Sequence, residues 1–240
     1  MWDLTQELLL RKFINSNMIT YEQFLKEGVY DPNIFKAVFM AGGPGSGKSY
    51  IAGKTTAGLG LKVINSDSAF ERYLKQEGLS LKMPDSETAE RDVERDRAKK
   101  VTASKKYLAV RGRLGIIIDG TGHKYDKIVG PAAMLQQVGY ETSMVFVNTS
   151  LEVALHRNEQ RARSVKPTLV KTSWQNVQNN MGKFQNYFGA SNFFIVDNNG
   201  FEEDMLEISI KHIRKAISSP VKNVVASAWI ANEMKKKRRT

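Results

Sequence analysis

The chain has 240 residues, of which 41% are hydrophobic and 25% are charged, a balance that fits a soluble globular protein and excludes general disorder. It contains no cysteine, which excludes disulfides and thiolate metal sites, and its formal charge of +11 favours a phosphate-rich ligand or a nucleic acid as partner. No stretch approaches the roughly 18 consecutive apolar residues of a membrane span, and the N-terminus lacks a secretory signal pattern, so a cytoplasmic protein without a membrane partner is expected.

The chain is predicted to divide into an N-terminal helical segment (1–35), an α/β domain (36–218) and a basic C-terminal tail (219–240). In the first segment, helices are predicted over 3–15 and 20–26. The apolar run from Ala37 to Ala41 predicts the first buried strand of the domain, because it enters a glycine cluster as a parallel strand does. Further strands are predicted over 61–65, 115–119, 142–148 and 192–197, and helices over 48–57, 68–76, 86–110, 126–137, 151–161 and 172–187. This alternation predicts a three-layer α/β/α fold with a mostly parallel five-stranded sheet.

The glycine cluster after the first strand has the P-loop pattern G-x-x-x-x-G-K-[ST], which predicts a P-loop NTPase fold. Its glycines allow backbone N–H groups to approach phosphate oxygens, and the helix that follows points its positive end at the anion. Lys48 is expected to bridge the β- and γ-phosphates and Ser49 to ligate Mg²⁺. The residues predicted to bind ATP are Gly42, Gly43, Pro44, Gly45, Ser46, Gly47, Lys48, Ser49 and Tyr50.

The second strand ends in the sequence NSD, which places Asp67 where open α/β sheets bind their ligands. A carboxylate at this position can accept the proton of an attacking hydroxyl group, so Asp67 is a candidate general base. The alternative is that Asp67 or Ser66 only caps the next helix.

The long polar helix over 86–110 carries Arg91, Arg95 and Arg97. Either this helix presents a solvated face, or it flanks a substrate cleft in which one of these arginines contacts a ligand.

The third strand ends as IIIDGTG and resembles a Walker B sequence. Asp119 is therefore expected either to hold Mg²⁺ through water or to face the phosphoryl acceptor, and Thr121, between two glycines, is a candidate acceptor contact. The alternative is a tight strand-to-helix turn with no role in binding. His123 is interpreted as a loop residue.

The helix that begins near Ser150 ends in a basic segment with Arg157, Arg161 and Arg163. Arg157 and Arg161 lie on one helical face and are predicted to form a lid over the transferring phosphate, with Arg163 as a further acceptor contact. The alternative is that these bases only complement the helix dipole.

The tail sequence VVASAWIANEMKKKRR predicts a helix with a basic end. Trp229 and Ile230 would form an apolar face that packs either on the same chain or on a partner. The bases from Lys235 to Arg239 are either a solvated end or a contact for a polyanion.

Together, the sequences GGPGSGKS, VINSD and VALHRNEQRAR resemble P-loop kinases of the zeta toxin and phage-type polynucleotide kinase group, over about residues 36–200. The resemblance implies that Asp67 is the general base and that Arg157 and Arg161 are lid arginines. It also implies an ATP- and Mg²⁺-dependent kinase that phosphorylates an alcohol group. A nucleotide-sugar or other small phosphorylated metabolite, a nucleotide and a nucleic acid 5′ end all remain open as acceptors. The alternative is a P-loop ATPase or nucleotide-binding assembly module with no acceptor.

Overall fold

The computed structural model describes residues 29–200 and 203–237. The helices predicted over 3–15 and 20–26 lie outside this range.

Five parallel strands form the sheet of the described chain: β1 (Lys36–Ala41), β2 (Lys62–Ile64), β3 (Ile116–Asp119), β4 (Glu141–Asn148) and β5 (Phe193–Asp197). Their order across the sheet is β2-β3-β1-β4-β5, and every pairing is parallel. The predicted five-stranded α/β/α fold is confirmed, and all five strands lie where the sequence predicts them, within one residue at each end.

Eight α-helices connect or flank these strands in the described chain. They are α1 (Lys48–Thr56), α2 (Asp67–Gln76), α3 (Thr88–Arg111), α4 (Asp126–Gln137), α5 (Leu151–Glu159), α6 (Pro167–Phe188), α7 (Glu203–Ile217) and α8 (Val224–Lys237). A short 3₁₀ turn, Asp85–Glu87, precedes α3. None of the helices in residues 29–200 and 203–237 is long and apolar enough to span a membrane.

The hydrophobic core lies on both faces of β1, whose residues are all buried. Side chains alternate across a strand, so Val38 and Met40 face one layer while Phe39 faces the other. The first face packs against apolar residues of α1 and α7, and the second against α4, α6 and α8. The strand that leads into the glycine loop is therefore held between two helical layers, as a central parallel strand requires.

The tail helix α8 packs on the same chain. The indole ring of Trp229 meets the ring of Phe35 edge-on, with the centroids 5.4 Å apart, and Ile230 packs against the same core cluster. Glu141, at the start of β4, accepts hydrogen bonds from the backbone N–H groups of Lys222 and Asn223. These contacts dock the tail at the amino-terminal edge of the sheet, and the domain boundary after residue 218 stays a prediction.

Candidate active site

The glycine loop connects the carboxyl end of β1 to α1. Gly47 is the N-cap of α1 with a φ of 83°, and Gly45 has a φ of 80°, so two of its residues adopt the left-handed conformation that favours glycine. A side chain at Gly45 would collide with the backbone carbonyl of Ala154 in α5. The loop therefore lies directly beneath α5. Glycine is required at position 45 because any side chain there would clash with α5.

Lys48, the first residue of α1, folds back over this loop. Its Nζ donates to the backbone oxygen of Gly42 at 2.6 Å, with the oxygen of Gly43 at 3.4 Å. Burial lowers the pKa of Lys48, while the nearby carboxylates of Asp119 and Asp67 act in the opposite direction. The ammonium group is thus desolvated and placed where an anion would stabilise its charge.

A cavity of about 420 Å³ opens above the loop at the carboxyl end of the sheet. Its lining includes these predicted site residues: Gly43, Gly45, Ser46, Gly47, Lys48, Ser49, Asp67, Asp119, Thr121, Arg157 and Arg161. Gly42, Pro44, Tyr50 and Arg163 are not part of this lining. The ring of Tyr50 is half exposed and carries the ammonium of Lys54 at 5.6 Å from its centre. Segments from β1, β2, β3 and α5, far apart in the chain, therefore converge on one cavity.

Asp119 ends β3 and is only partly partnered. Its Oδ2 accepts from Asn65 Nδ2 at 2.7 Å, whereas its Oδ1 is buried and has no hydrogen-bond partner within the described residues. Burial raises the pKa of the Asp119 carboxyl, and the charge of Lys48 opposes that rise. An unpartnered buried carboxylate oxygen that faces this cavity is a position that a cation or a donor group would satisfy.

Asp67 is the first residue of α2 and makes two ion pairs. Arg163 Nη2 lies 2.9 Å from its Oδ2, and Arg95 Nη1 lies 3.4 Å from its Oδ1. Ser66 makes no side-chain cap for α2, whereas Asn65 Oδ1 accepts from the backbone N–H of Asp67 at 2.7 Å. Asp67 therefore lines the cavity while its carboxylate pairs with two arginines that lie outside the cavity lining.

The prediction that Arg157 and Arg161 share one helical face is wrong, because α5 ends at Glu159 and Arg161 lies in the bend that follows it. Arg157 Nη1 donates to the backbone oxygen of Asn198 at 2.8 Å, and Arg161 lines the cavity near Lys48 and Asp119. Asn158 holds the segment after α5 in place through two hydrogen bonds with the backbone of Val165. Arg157 and Arg161 both line the cavity above the glycine loop.

Two asparagines were missed by sequence reasoning. Asn65 joins Asp119 to the start of α2, as described above. Asn198 follows β5, is buried, and its Nδ2 donates to the backbone oxygen of Ser46 at 2.7 Å, which ties the loop to the end of β5. The signal in both cases is an asparagine directly after a core strand, where side-chain amides can bond the backbone of neighbouring loops.

The segment after β3 is held by hydrogen bonds to its backbone. Gly42 N donates to the oxygen of Thr121 at 3.0 Å, and Asn180 Nδ2 donates to the oxygens of Gly122 and His123. Thr121 Oγ1 also hydrogen-bonds His123 Nδ1. Burial lowers the pKa of His123, and the charge of Lys124 lowers it further, which favours the neutral imidazole. Thr121 faces the cavity from this fixed segment.

Comparisons with known proteins bear on the family and the fold of the chain. The sequence profile of the zeta toxin family matches residues 26–205. A structure from the PezAT chromosomal toxin–antitoxin system of Streptococcus pneumoniae aligns with a TM-score of 0.52 and 16% identity, over 91% of this chain and 99% of that chain. AvrRxo1-ORF1:AvrRxo1-ORF2 solved with ATP aligns with a TM-score of 0.51 and 16% identity, over 82% of this chain and 64% of that chain. At these identities the structural likeness concerns the fold. No curated protein sequence matches the chain.

Proposed function

The chain belongs to the zeta toxin family, and from this premise we propose that it is an ATP-dependent phosphotransferase that moves the γ-phosphate of ATP to a hydroxyl group. The observation that carries the proposal is a single cavity lined by the P-loop residues Lys48 and Ser49, by Asp67 and by lid arginines. It supplies a triphosphate cradle, a proton acceptor and cations for the transferring group, which are the parts that phosphoryl transfer requires.

ATP binds to the glycine loop in this proposal. The backbone N–H groups at the start of α1 and the helix dipole hold the β- and γ-phosphates. Lys48 exchanges its bond to the oxygen of Gly42 for a bond to phosphate oxygens, which relieves the cost of its burial. The structural neighbour solved with ATP supports this part of the proposal.

The site also fits Mg²⁺, which the fold class implies. Asp119 Oδ1 is a buried carboxylate oxygen with no partner in the described chain, and Ser49 lines the same cavity. Oxygen ligands of this kind suit Mg²⁺, with phosphates and water as the remaining ligands. A bound Mg²⁺ would neutralise charge that develops on the phosphate oxygens.

The transfer step uses Asp67 as general base. The acceptor oxygen forms a bond to the γ-phosphorus, the bond from that phosphorus to the β–γ bridging oxygen breaks, and ADP leaves with the bond's electrons. The hydroxyl proton passes to the carboxylate of Asp67, which then releases it to solvent. Arg157 and Arg161 stabilise the charge on the transferring group from the α5 side.

The acceptor is an alcohol, and we propose a nucleotide-sugar, a nucleotide or a nucleic acid 5′ end. The formal charge of +11 favours an acceptor that carries phosphate.

The test of this function is transfer of radiolabelled γ-phosphate from ATP to a panel of nucleosides, nucleotides, nucleotide-sugars and 5′-hydroxyl oligonucleotides. The protein is expected to label at least one acceptor class. Lys48→Ala is expected to weaken ATP binding about tenfold or more and to remove transfer, because it deletes a charge-assisted contact to phosphate. Steady ATP hydrolysis with no labelled acceptor would contradict the proposal and favour an ATPase.

A further inference from the structure

The positive charge of the chain is concentrated in two segments. Residues 97–118 contain no acid and the following seven bases: Arg97, Lys99, Lys100, Lys105, Lys106, Arg111 and Arg113. Residues 218–240 contain the single acid Glu233 and the following six bases: Lys222, Lys235, Lys236, Lys237, Arg238 and Arg239. The segments carry +7 and +5 of a total of +11, so the other 195 residues together carry −1. A surface that only needs to be soluble has both signs interspersed.

The fold brings these two segments to the same edge of the sheet. The first ends α3 and leads into the amino-terminal end of β3, and the second contains α8. The guanidinium carbon of Arg113 lies 5.7 Å from the ring centre of Phe35, and the ring centre of Trp229 in α8 lies 5.4 Å from the same ring. At the basic end of α8, Lys237 Nζ lies 4.8 Å from the ring centre of Tyr30. Because Tyr30 and Phe35 precede β1, both segments lie at the amino-terminal edge, opposite the cavity.

Five bases of these segments are exposed and have no carboxylate partner. Within residues 29–200 and 203–237, none of the ion pairs involves Lys100, Lys105, Arg111, Lys222 or Lys235, and all five residues are exposed. We call these five residues the basic surface. Like charges on one surface repel one another, and a polyanion that binds across them removes this cost.

Three members of the basic surface belong to α3. Lys100 and Arg111 are about three helical turns apart, so they lie on the same face of α3 and about 16 Å from each other along its axis. The exposed ring of Tyr107 lies between them on this face. A stripe of cations of this length, with an aromatic ring between them, suits an extended phosphate backbone better than a single phosphate group.

No carboxylate opposes the positive charge in this part of α3. The acids of α3 all lie in its first nine residues, 88–96, near the cavity. Burial lowers the pKa of Lys106 with no opposing effect from an acid, whereas at Lys48 the carboxylates of Asp119 and Asp67 oppose the same fall. An anion that binds at this end of α3 therefore meets no like charge from the helix itself.

We propose that the basic surface binds the phosphate backbone of a nucleic acid, without regard to base sequence and apart from the cavity. This interaction goes beyond the proposed function, because the nucleic acid bound here need not accept a phosphate. Its physical basis is the release of condensed counterions when lysine and arginine neutralise phosphates. A lipid surface fits less well, since a helix that binds lipid inserts large apolar side chains, whereas Trp229 and Ile230 of α8 pack on the core.

The test measures binding of fluorescent oligonucleotides by anisotropy over a series of salt concentrations. One probe is single-stranded and the other is a duplex, and every end is blocked by phosphate or by the fluorophore, so that no 5′-hydroxyl can be phosphorylated. At least one probe is expected to bind, with an affinity that falls steeply as the salt concentration rises. The probe that binds more tightly identifies the form of nucleic acid.

Two variants divide the basic surface between its helices. Lys100→Gln/Lys105→Gln/Arg111→Gln, in α3, is expected to weaken binding about tenfold or more and to reduce the slope of log K against log salt by about 2–3. Lys222→Gln/Lys235→Gln, in the tail, is expected to weaken binding about threefold or more and to reduce the slope by about 1–2. All five side chains are exposed, so both variants should fold, which a thermal melt checks.

The matched control removes the same charge elsewhere. Lys75→Gln/Lys127→Gln/Lys183→Gln changes exposed lysines of α2, α4 and α6 and should bind both probes within about twofold of the unmodified protein. Lys48→Ala should also bind them as the unmodified protein does, because Lys48 belongs to the cavity.

Four results would overturn the inference: no binding of either probe, equal weakening by the control and the α3 variant, loss of binding in Lys48→Ala, or tighter binding to phosphatidylserine vesicles than to both probes. The third result would assign the nucleic acid to the cavity, and the fourth would assign the basic surface to a membrane. None of these measurements depends on phosphoryl transfer, so either proposal can fail while the other stands.

Discussion

At the residue scale, Asn65 is the side chain that arranges the two carboxylates of the site. Its Nδ2 donates to Asp119 Oδ2 and its Oδ1 accepts from the N–H of Asp67, each at 2.7 Å. The side-chain amide of Asn65 thus links Asp119, which is proposed to hold Mg²⁺, to Asp67, which is proposed to accept a proton. Asn65 does not bond Asp119 Oδ1, which has no partner in the described residues and can accept a ligand. It bonds only the backbone of Asp67, so the Asp67 carboxylate can pair with arginine.

Asp119→Asn is expected to raise the thermal unfolding temperature of the nucleotide-free protein at pH 7. Burial raises the pKa of Asp119 above its ordinary value of 3.8, so stability that is present below that value is lost as the pH rises through the folded-state pKa. The neutral amide avoids this loss. The gain in Tm should be present at pH 7 and disappear as the pH falls below 3.8, which a series of thermal melts measures.

The matched control is Asp197→Asn at the end of β5, where the carboxylate is exposed and accepts from the backbone of Asn199. This variant should show no such gain. A loss of stability in Asp119→Asn at pH 7 would mean that the attraction between Asp119 and Lys48 outweighs the cost of burial.

Residue positions set by local spacing were predictable, and those set by distant contacts were not. The pattern of the glycine loop and the acidic residue after each strand identified Lys48, Asp67 and Asp119, which line one cavity. The pairing of Arg163 with Asp67 joins segments that are far apart in the chain, so local spacing predicts only a general acceptor contact for Arg163. Asn198 was missed for the same reason, because its partner Ser46 lies in the glycine loop.

At the element scale, the glycine loop depends on its packing beneath α5. Ala154 of α5 is fully buried, and its carbonyl lies where a side chain at Gly45 would have to fit. Gly43 differs, because a Cβ there would meet Trp174 at 3.6 Å, an ordinary contact distance. The two glycines therefore have different tolerance to substitution although both belong to the same motif.

Gly45→Ala is expected to weaken ATP binding about tenfold or more, since a left-handed alanine costs about 1–2 kcal/mol before its collision with α5 is relieved. Gly43→Ala should bind ATP within about twofold of the unmodified protein. Equilibrium binding of a fluorescent ATP analogue measures both. Equal effects of the two substitutions would show that α5 does not constrain the loop.

Element boundaries were predicted best where an apolar run or a cap marks them. Helix α4 was predicted with the bounds that it has, whereas α6 begins at Pro167 rather than 172, as the preference of proline for the first turn explains. No helix was predicted over Glu203–Ile217. The sequence does carry a helical signal in this segment, because the apolar residues Ile213 and Ile217 are four residues apart. In the structure both side chains are buried against the sheet.

At the scale of the whole molecule, the strand order places the glycine loop at the centre of the candidate site. The loop leaves β1 between β3 on one side and β4 on the other. Asp67 and Asp119 follow β2 and β3, while Arg157 and Asn198 come from segments after β4 and β5. Parallel strands bring all these ends to one edge of the sheet, where ligands of α/β folds bind.

Trp229→Ala is expected to reduce the free energy of unfolding by about 2–3 kcal/mol, less than the cost of about 3–5 kcal/mol at a fully buried tryptophan, because the ring packs on Phe35 and the core cluster but is only partly buried. ATP affinity should be unchanged, since Phe35 precedes β1 and the glycine loop follows it. Denaturant unfolding and ATP titration measure the two quantities. The exposed Val225→Ala in the same helix is the control and should change neither.

A loss of ATP affinity in Trp229→Ala equal to its loss of stability would show that the tail helix is coupled to the site. An unchanged free energy of unfolding in Trp229→Ala would favour the alternative in which this face of α8 packs on a partner.

The central claim is tested most directly by Asp67→Asn, assayed for ATP binding and for transfer of labelled γ-phosphate in the same preparation. An amide cannot accept the hydroxyl proton as a carboxylate does, so transfer should fall about 100-fold or more while the Kd for ATP stays within about twofold. Transfer at the unmodified rate in this variant would contradict the account.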